Sequence, residues 1–267
     1  MVLLRRIVRM AVEADGPPGE VRPDADSDRR GNGYGGVPSY GGWPQSRHIE
    51  VEVCCRGEAD ARTGYFMDIK AIDRAARGTL AGAFSASLSA GAGGERGWRW
   101  EGGVLAEGAE RLNAALSGSV VWVRWSVTPT YCVEVSPMTP GTALLRQKFE
   151  IAAAHRLYVP ELSDEENRRL FGRCANPSAH GHNYIIEPCV RVPVEQGAAP
   201  RFALADLERA TLAALIEPFD HRNLNVDCAQ FDRAQGGVNP SVENISRVFY
   251  GLLAPVIAAH GHGVALA

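Results

Sequence analysis

At 267 residues the chain is long enough for one large domain or two of ordinary size, and 45% hydrophobic with 22% charged residues is a globular composition. A net charge of −3 excludes the broad basic field that nucleic acid or an anionic membrane would need, and the apolar runs fall short of the ~18 residues that span a bilayer. The six cysteines are too sparse for a disulfide scaffold, and MVLLRRIVRMAVEAD carries internal arginines and no small-residue cleavage site, so reduced thiols in the cytoplasm and no signal peptide are expected.

In chain order, LLRRIVRMAV predicts a strand and the Gly/Pro/Asp-rich stretch 14–46 a surface loop. Alternation at Ile49, Val51 and Val53 predicts a half-buried strand, and a helix is expected to start near Asp68-Ile69. A second loop is expected over 85–103 and a second helix over about 104–117. SVVWVRWSVTPTYCVEV then supplies two strands and a turn. After SPMTPGT, 136–142, the plan restarts. ALLRQKFEIAAA predicts a strand, 156–179 a long connection, and Ile185 to Val194 a β-rich run. Ser163 with Glu166 three residues on is a capping-box pattern for a short helix inside that connection. Helices are expected near Asp206-Leu207 and over 241–259, the latter capped by Ser241 ahead of Glu243-Asn244.

One order of elements written twice predicts an α+β fold of two tandem units, 1–136 and 142–267, each an antiparallel sheet with helices packed on one face. The first unit closes with two strands, whereas the second has only GVALA. By that internal yardstick the second unit is expected to lack its terminal strands, roughly a dozen residues.

Chemistry concentrates in CANPSAHGHNY, 174–184, which holds one thiol and two imidazoles in a chain of seven histidines. In an extended segment His180 and His182 share one face, and His155, ending FEIAAAH, is the candidate third ligand on a neighbouring strand. Three protein ligands with an open fourth position are what a catalytic zinc takes. On spacing alone, H-x-H leaves a metal site and a histidine-bearing turn both open. His260 and His262 form a second H-x-H after an apolar helix, and there the helix-terminal turn is the better reading. His48 is expected to face solvent. Cys174 is either a small buried residue or a thiolate poised as a base, while Cys54, Cys55 and Cys189 lie in strand patterns. Asp220-His221 either caps a loop or is a carboxylate orienting a proton-transfer imidazole.

FEIAAAHRL, LSDEENRRLFGRCANPSAHGHNY, FDHRNLNVD and NPSVENIS together resemble the 6-pyruvoyltetrahydropterin synthases in order and spacing, over about 144–259. The 6-carboxytetrahydropterin synthases of queuosine biosynthesis are similar too, though the five residues between Cys174 and His180 look like the pyruvoyl type. Residues 1–136 resemble a degenerate second unit of the family without a metal site.

The resemblance implies a tunnelling fold of ββααββ units that closes by oligomerising, here a homo-oligomer of three two-unit chains. It implies one Zn2+ held by His155, His180 and His182, with Cys174, Asp220 and His221 as the catalytic residues and Glu243 near the pterin. It implies a lyase converting 7,8-dihydroneopterin triphosphate to 6-pyruvoyltetrahydropterin, with no nucleic acid or membrane partner. Arg156, Arg168, Arg169 and Arg173 would meet the triphosphate or form a solvated helix face. Where the family has a pterin-anchoring glutamate, the first copy has Val127 in VTP, and the second copy ends before that position. The alternatives are the carboxy-type carbon–carbon lyase and, without catalysis, a metal-binding scaffold.

Overall fold

A computed structural model describes residues 1–13, 46–91, 100–195 and 198–267. The connection expected over 14–46 falls outside them except for Ser46. The described chain divides into two compact units, 1–146 with 191–201, and 147–190 with 202–267.

In the first unit the elements run β1 (Val2–Glu13), β2 (Ser46–Gly57), α1 (Ile69–Gly91), α2 (Glu101–Ala115), β3 (Val120–Ser126), β4 (Tyr131–Val135) and β5 (Thr142–Gln147). β1, β2, β3 and β4 pair antiparallel with their chain neighbours, in register from Val2 opposite Gly57 to Glu13 opposite Ser46 in the first pair. Strand alternation sends Val8, Met10, Ile49, Val51 and Val53 inward, where α1 covers them with Ile72, Ala76, Leu80 and Phe84 at helical spacing. Gly108 of α2 lets the two helices approach closely, because a Cβ there would stand 2.4 Å from Leu80 Cδ2. A two-pronged ion pair, Arg6 Nε to Asp73 Oδ1 at 2.8 Å and Nη2 to Oδ2 at 2.6 Å, ties β1 to α1. Across the strands Arg9 meets Glu50 at 2.9 Å and Arg124 meets Glu134 at 2.6 Å.

The stretch from 85 is not loop: α1 continues to Gly91, and α2 starts at Glu101 rather than 104. The inward positions of α1 keep their spacing through Ala83 and Phe84, which carries the helix into an Ala/Ser/Gly run that composition alone reads as loop. Residues 92–99 lie outside the described residues. α2 ends at Ala115 because Ser117 (φ 54°) and Gly118 (φ 78°) turn the backbone left-handed.

The second unit starts with β6 (Phe149–His155) and α3 (Asp164–Phe171), then a single 3₁₀ turn over Gly172–Ala175 and β7 (His180–Ile186). β8 (Cys189–Pro193) follows, its first two residues counted with this unit. The expected single run Ile185–Val194 is therefore two strands, broken at Glu187-Pro188 because proline has no N–H for a ladder. Next come α4 (Leu204–Thr211), a π-helical turn Leu212–Ile216, α5 (Glu217–Phe219), β9 (Arg222–Asn223), α6 (Leu224–Asp227), α7 (Val242–Ala258) and β10 (Ala265–Leu266).

β6 pairs antiparallel with β7, and β9 joins the free side of β6 in a short parallel contact, which departs from the antiparallel expectation. The capping box at the start of α3 is present: Ser163 Oγ accepts from Glu166 N at 3.2 Å, and Glu166 Oε2 accepts from Ser163 N at 2.9 Å. Ser241 caps α7 by accepting from Asn244 N. The core of this unit gathers Ile151, Phe219, Phe231, Ile245, Phe249 and Leu253. Among the described residues, no helix is long and apolar enough to cross a membrane.

Candidate functional site

The last residue of β6 and the first of β7 are directly opposite one another: His155 faces His180, and Ala153 faces His182. Strand alternation puts all three imidazoles on one face, as their spacing in the sequence predicts. Their ring centroids form a near-equilateral triangle, 4.9 Å from His155 to each of the others and 4.5 Å between His180 and His182.

Cys174 arrives from the connection between the strands. Its carbonyl accepts from Leu157 N at 2.7 Å and the next carbonyl, Ala175, accepts from Arg156 Nε at 3.2 Å, so the 3₁₀ turn is fastened to the chain leaving β6. The result is a group of four, His155, Cys174, His180 and His182, whose ligand atoms all lie within 4.8 Å of one another.

This donor set fits a metal ion. His155 is 3% exposed, and its Nδ1 donates to the Pro240 carbonyl at 2.8 Å; a carbonyl can only accept, which fixes the tautomer and leaves Nε2 as a lone pair. That Nε2 is buried and has no protein partner. Burial pushes the His155 pKa below its ordinary value, the neighbouring His182 and His180 push the same way, and the Pro240 bond opposes them. The Nε2 atoms of His180 and His182 converge to 2.7 Å. Neutral imidazole nitrogens and a thiol are ligands for a transition metal rather than a hard cation.

The sequence reading missed Tyr184. It follows His180 and His182 at the same two-residue spacing, so the signal was present in HGHNY, and its ring lies 5.5 Å from His182 and 6.2 Å from His155. Its hydroxyl is buried without a partner, and burial, then the charge on Cys174, pushes its pKa up to about 12.

Asp220 and His221 form a separate pair on the outer edge of β6. His221 Nδ1 meets Asp220 Oδ2 at 2.9 Å. Asp220 Oδ1 accepts from Ala152 N at 2.8 Å, while His221 N donates to the Ala152 carbonyl at 2.6 Å. The Ala152 N–H, and next the His221 side chain, hold the Asp220 carboxyl below the usual carboxylate range. His221 takes a left-handed backbone, φ 56°, and its side chain is 82% exposed. A pocket of ≈ 340 Å³ has Ala152, Ala154 and Gly181 among its lining, and both His182 and His221 border it. Small side chains make the opening.

Glu243 is exposed in the first turn of α7, its carboxyl held down by its own backbone N–H and then by Ser241. Arg156 is spent on the Ala175 carbonyl and stacks 4.0 Å above the Tyr158 ring, whereas Arg168, Arg169 and Arg173 are exposed. His260 and His262 are exposed in the turn after α7 and take no part in the histidine–cysteine group. His48 is exposed. Cys54, Cys55 and Cys228 are buried, and burial pushes their thiols up.

The family model for 6-pyruvoyl tetrahydropterin synthase matches residues 144–267, which include all of these residues except those of the first unit. A human protein described as 6-pyruvoyl tetrahydrobiopterin synthase is 40% identical over 89 residues, 33% of this chain and 61% of its own length. The chain thus spans less than two thirds of that relative. A Caenorhabditis elegans 6-pyruvoyl tetrahydropterin synthase structure is 30% identical, covering 43% of this chain and 79% of its own, with a TM-score of 0.38. The relative so named from Poecilia reticulata is 34% identical over 108 residues, 40% of this chain and 71% of its own length. With that span of a relative matched, and the matched residues carrying the histidine–cysteine group, the chain belongs to the 6-pyruvoyl tetrahydropterin synthase family.

Proposed function

We propose that the chain is a zinc-dependent lyase that converts 7,8-dihydroneopterin triphosphate to 6-pyruvoyltetrahydropterin with loss of triphosphate. The observation that carries the reading is the group His155, Cys174, His180 and His182, whose ligand atoms all lie within 4.8 Å of one another. His155, His180 and His182 would hold zinc through their Nε2 atoms. When bound, zinc supplies a Lewis acid that acidifies the side-chain hydroxyls of the substrate.

The residues of this chain supply the proton traffic. The Cys174 Sγ, placed beside the three imidazoles, takes the proton from the side-chain carbon. His221, with Asp220 accepting from its Nδ1, is assigned the role of general acid and base. Glu243 is assigned to the pterin, and Arg168, Arg169 and Arg173 to the triphosphate.

In this reading the chain is a tandem of two ββααββ units, 1–136 and 142–267, supported by the observed order β1-β2-α1-α2-β3-β4 in the first. The first unit has no metal site, three chains assemble into the working oligomer, and the enzyme acts in the cytoplasm. The test is to load the chain with zinc, add 7,8-dihydroneopterin triphosphate, and follow triphosphate release and pterin mass. A pyruvoyl product supports the reading. A carboxy product assigns the chain to the carbon–carbon lyases, and bound zinc without turnover leaves a scaffold. Sedimentation at three times the mass of one chain tests the assembly.

A further inference from the structure

We propose that Asn239 and Asn244 are positioning residues for the metal, acting through Pro240 to fix the tautomer and the aim of His155. The inference rests on the metal reading of His155, His180 and His182. His155 Nδ1 has one partner, the Pro240 carbonyl at 2.8 Å. The residue before it, Asn239, is held at both its carbonyl and its side chain. The Asn239 carbonyl accepts from Asn244 Nδ2 and from Ser241 N, each at 2.8 Å. The Asn239 side chain reaches back to the strand carrying the ligand, its Oδ1 accepting from Tyr158 N at 3.2 Å, three residues beyond His155.

His155, Pro240, Asn239 and Tyr158 therefore form a closed ring of covalent and hydrogen bonds, with Asn244 as its brace. If the brace is lost, Pro240 is free to drift and the buried Nδ1–H loses its acceptor. The imidazole can then rotate or change tautomer, and Nε2 no longer presents a fixed lone pair. Partners of the non-ligating histidine nitrogen typically change metal affinity about 10–100-fold when removed.

The two asparagines contribute opposite atoms, which gives the test its logic. Asn239 supplies an acceptor, so Asn239→Asp keeps the contact to Tyr158 N. Asn244 supplies a donor, so Asn244→Asp removes it and faces the Asn239 carbonyl with a carboxylate. Asn167 is the comparator: it accepts from Val159 N at 2.8 Å and donates to the carbonyls of Val159, Leu162 and Ser163, with no bond to Pro240.

Cobalt(II) is titrated into the metal-free full chain, with its visible absorption bands, competition against a chelator, and metal-free thermal unfolding recorded. Asn244→Asp should weaken cobalt binding about 10–100-fold and shift the bands. Asn239→Asp should leave both unchanged, and Asn167→Ala should lower the unfolding temperature without moving the bands. If Asn244→Asp does not fold, Asn239→Ala carries the same expectation. Wild-type affinity and bands in the folded variant, or an equal band shift in Asn167→Ala, would overturn the inference. A wild-type chain that binds no cobalt overturns the metal reading, and this inference with it.

Discussion

The β1–β2 pair and the β6–β7 pair use one antiparallel geometry for opposite ends. In the first, the inward cross-strand pairs are Val8 with Val51 and Met10 with Ile49, all 4% exposed or less. In the second they are Ala153 with His182 and His155 with His180. An apolar pair completes itself, because burial alone stabilises it. An imidazole pair does not: His155 Nε2 is buried with no protein partner, and its lone pair is a ligand atom that a metal could use. One pair is a wall and the other is half of a site.

The largest effect should come from deleting a ligand. His180→Ala is expected to abolish metal uptake, whereas His260→Ala should keep about one metal per chain; elemental analysis of the purified variants reads both. Next, Cys174→Ala should retain the metal and lose about 10²–10⁴-fold in turnover of dihydroneopterin triphosphate, the range for a missing proton-transfer group. An active variant would take the thiol out of that role.

On the wall side, Met10→Ala should cost about 2–5 kcal/mol of stability by opening a cavity, with metal content unchanged, as denaturant unfolding would show. The His155 pKa is depressed by burial, so the folded metal-free chain favours the neutral ring. Its contribution is complete above the ordinary histidine pKa of ~6.5 and is lost as pH falls through the lower folded value. Metal-free stability should therefore drop on acidification below about 6.5, and His155→Leu should flatten that part of the profile. The smallest effect concerns His221, whose left-handed backbone carries strain. His221→Gly should gain up to about 1 kcal/mol in thermal unfolding while losing turnover, a balance of relieved strain against added chain entropy.

The histidine face was legible because a strand has a period of two, and His180 and His182 advertise it. Tyr184 obeyed the same period and went unread, because tyrosine in a strand is ordinary while histidine is rare. The break at Pro188 was written in the residue itself, but a β-rich run masked it. α1 was cut short in the reading because alanine, serine and glycine fill its last turns, and only the packed positions Leu80 and Phe84 reveal the helix. The asparagines could not be found in this way. Their bonds join Arg156 to Asn225 and Tyr158 to Asn239, 69 and 81 residues apart, and nothing local announces such a pairing.

Those asparagines bear on how the molecule breathes. After His155 the chain leaves its strand, yet each of the next four amides is taken: Arg156 by Asn225 Oδ1 at 2.6 Å, Leu157 by the Cys174 carbonyl at 2.7 Å, Tyr158 by Asn239 Oδ1 at 3.2 Å, and Val159 by Asn167 Oδ1 at 2.8 Å. In deuterated water the slow-exchanging stretch should then run past the end of β6 to Val159. Because three of the four acceptors are separate side chains, single substitutions should release those protons one at a time, whereas a sheet edge would give them up together.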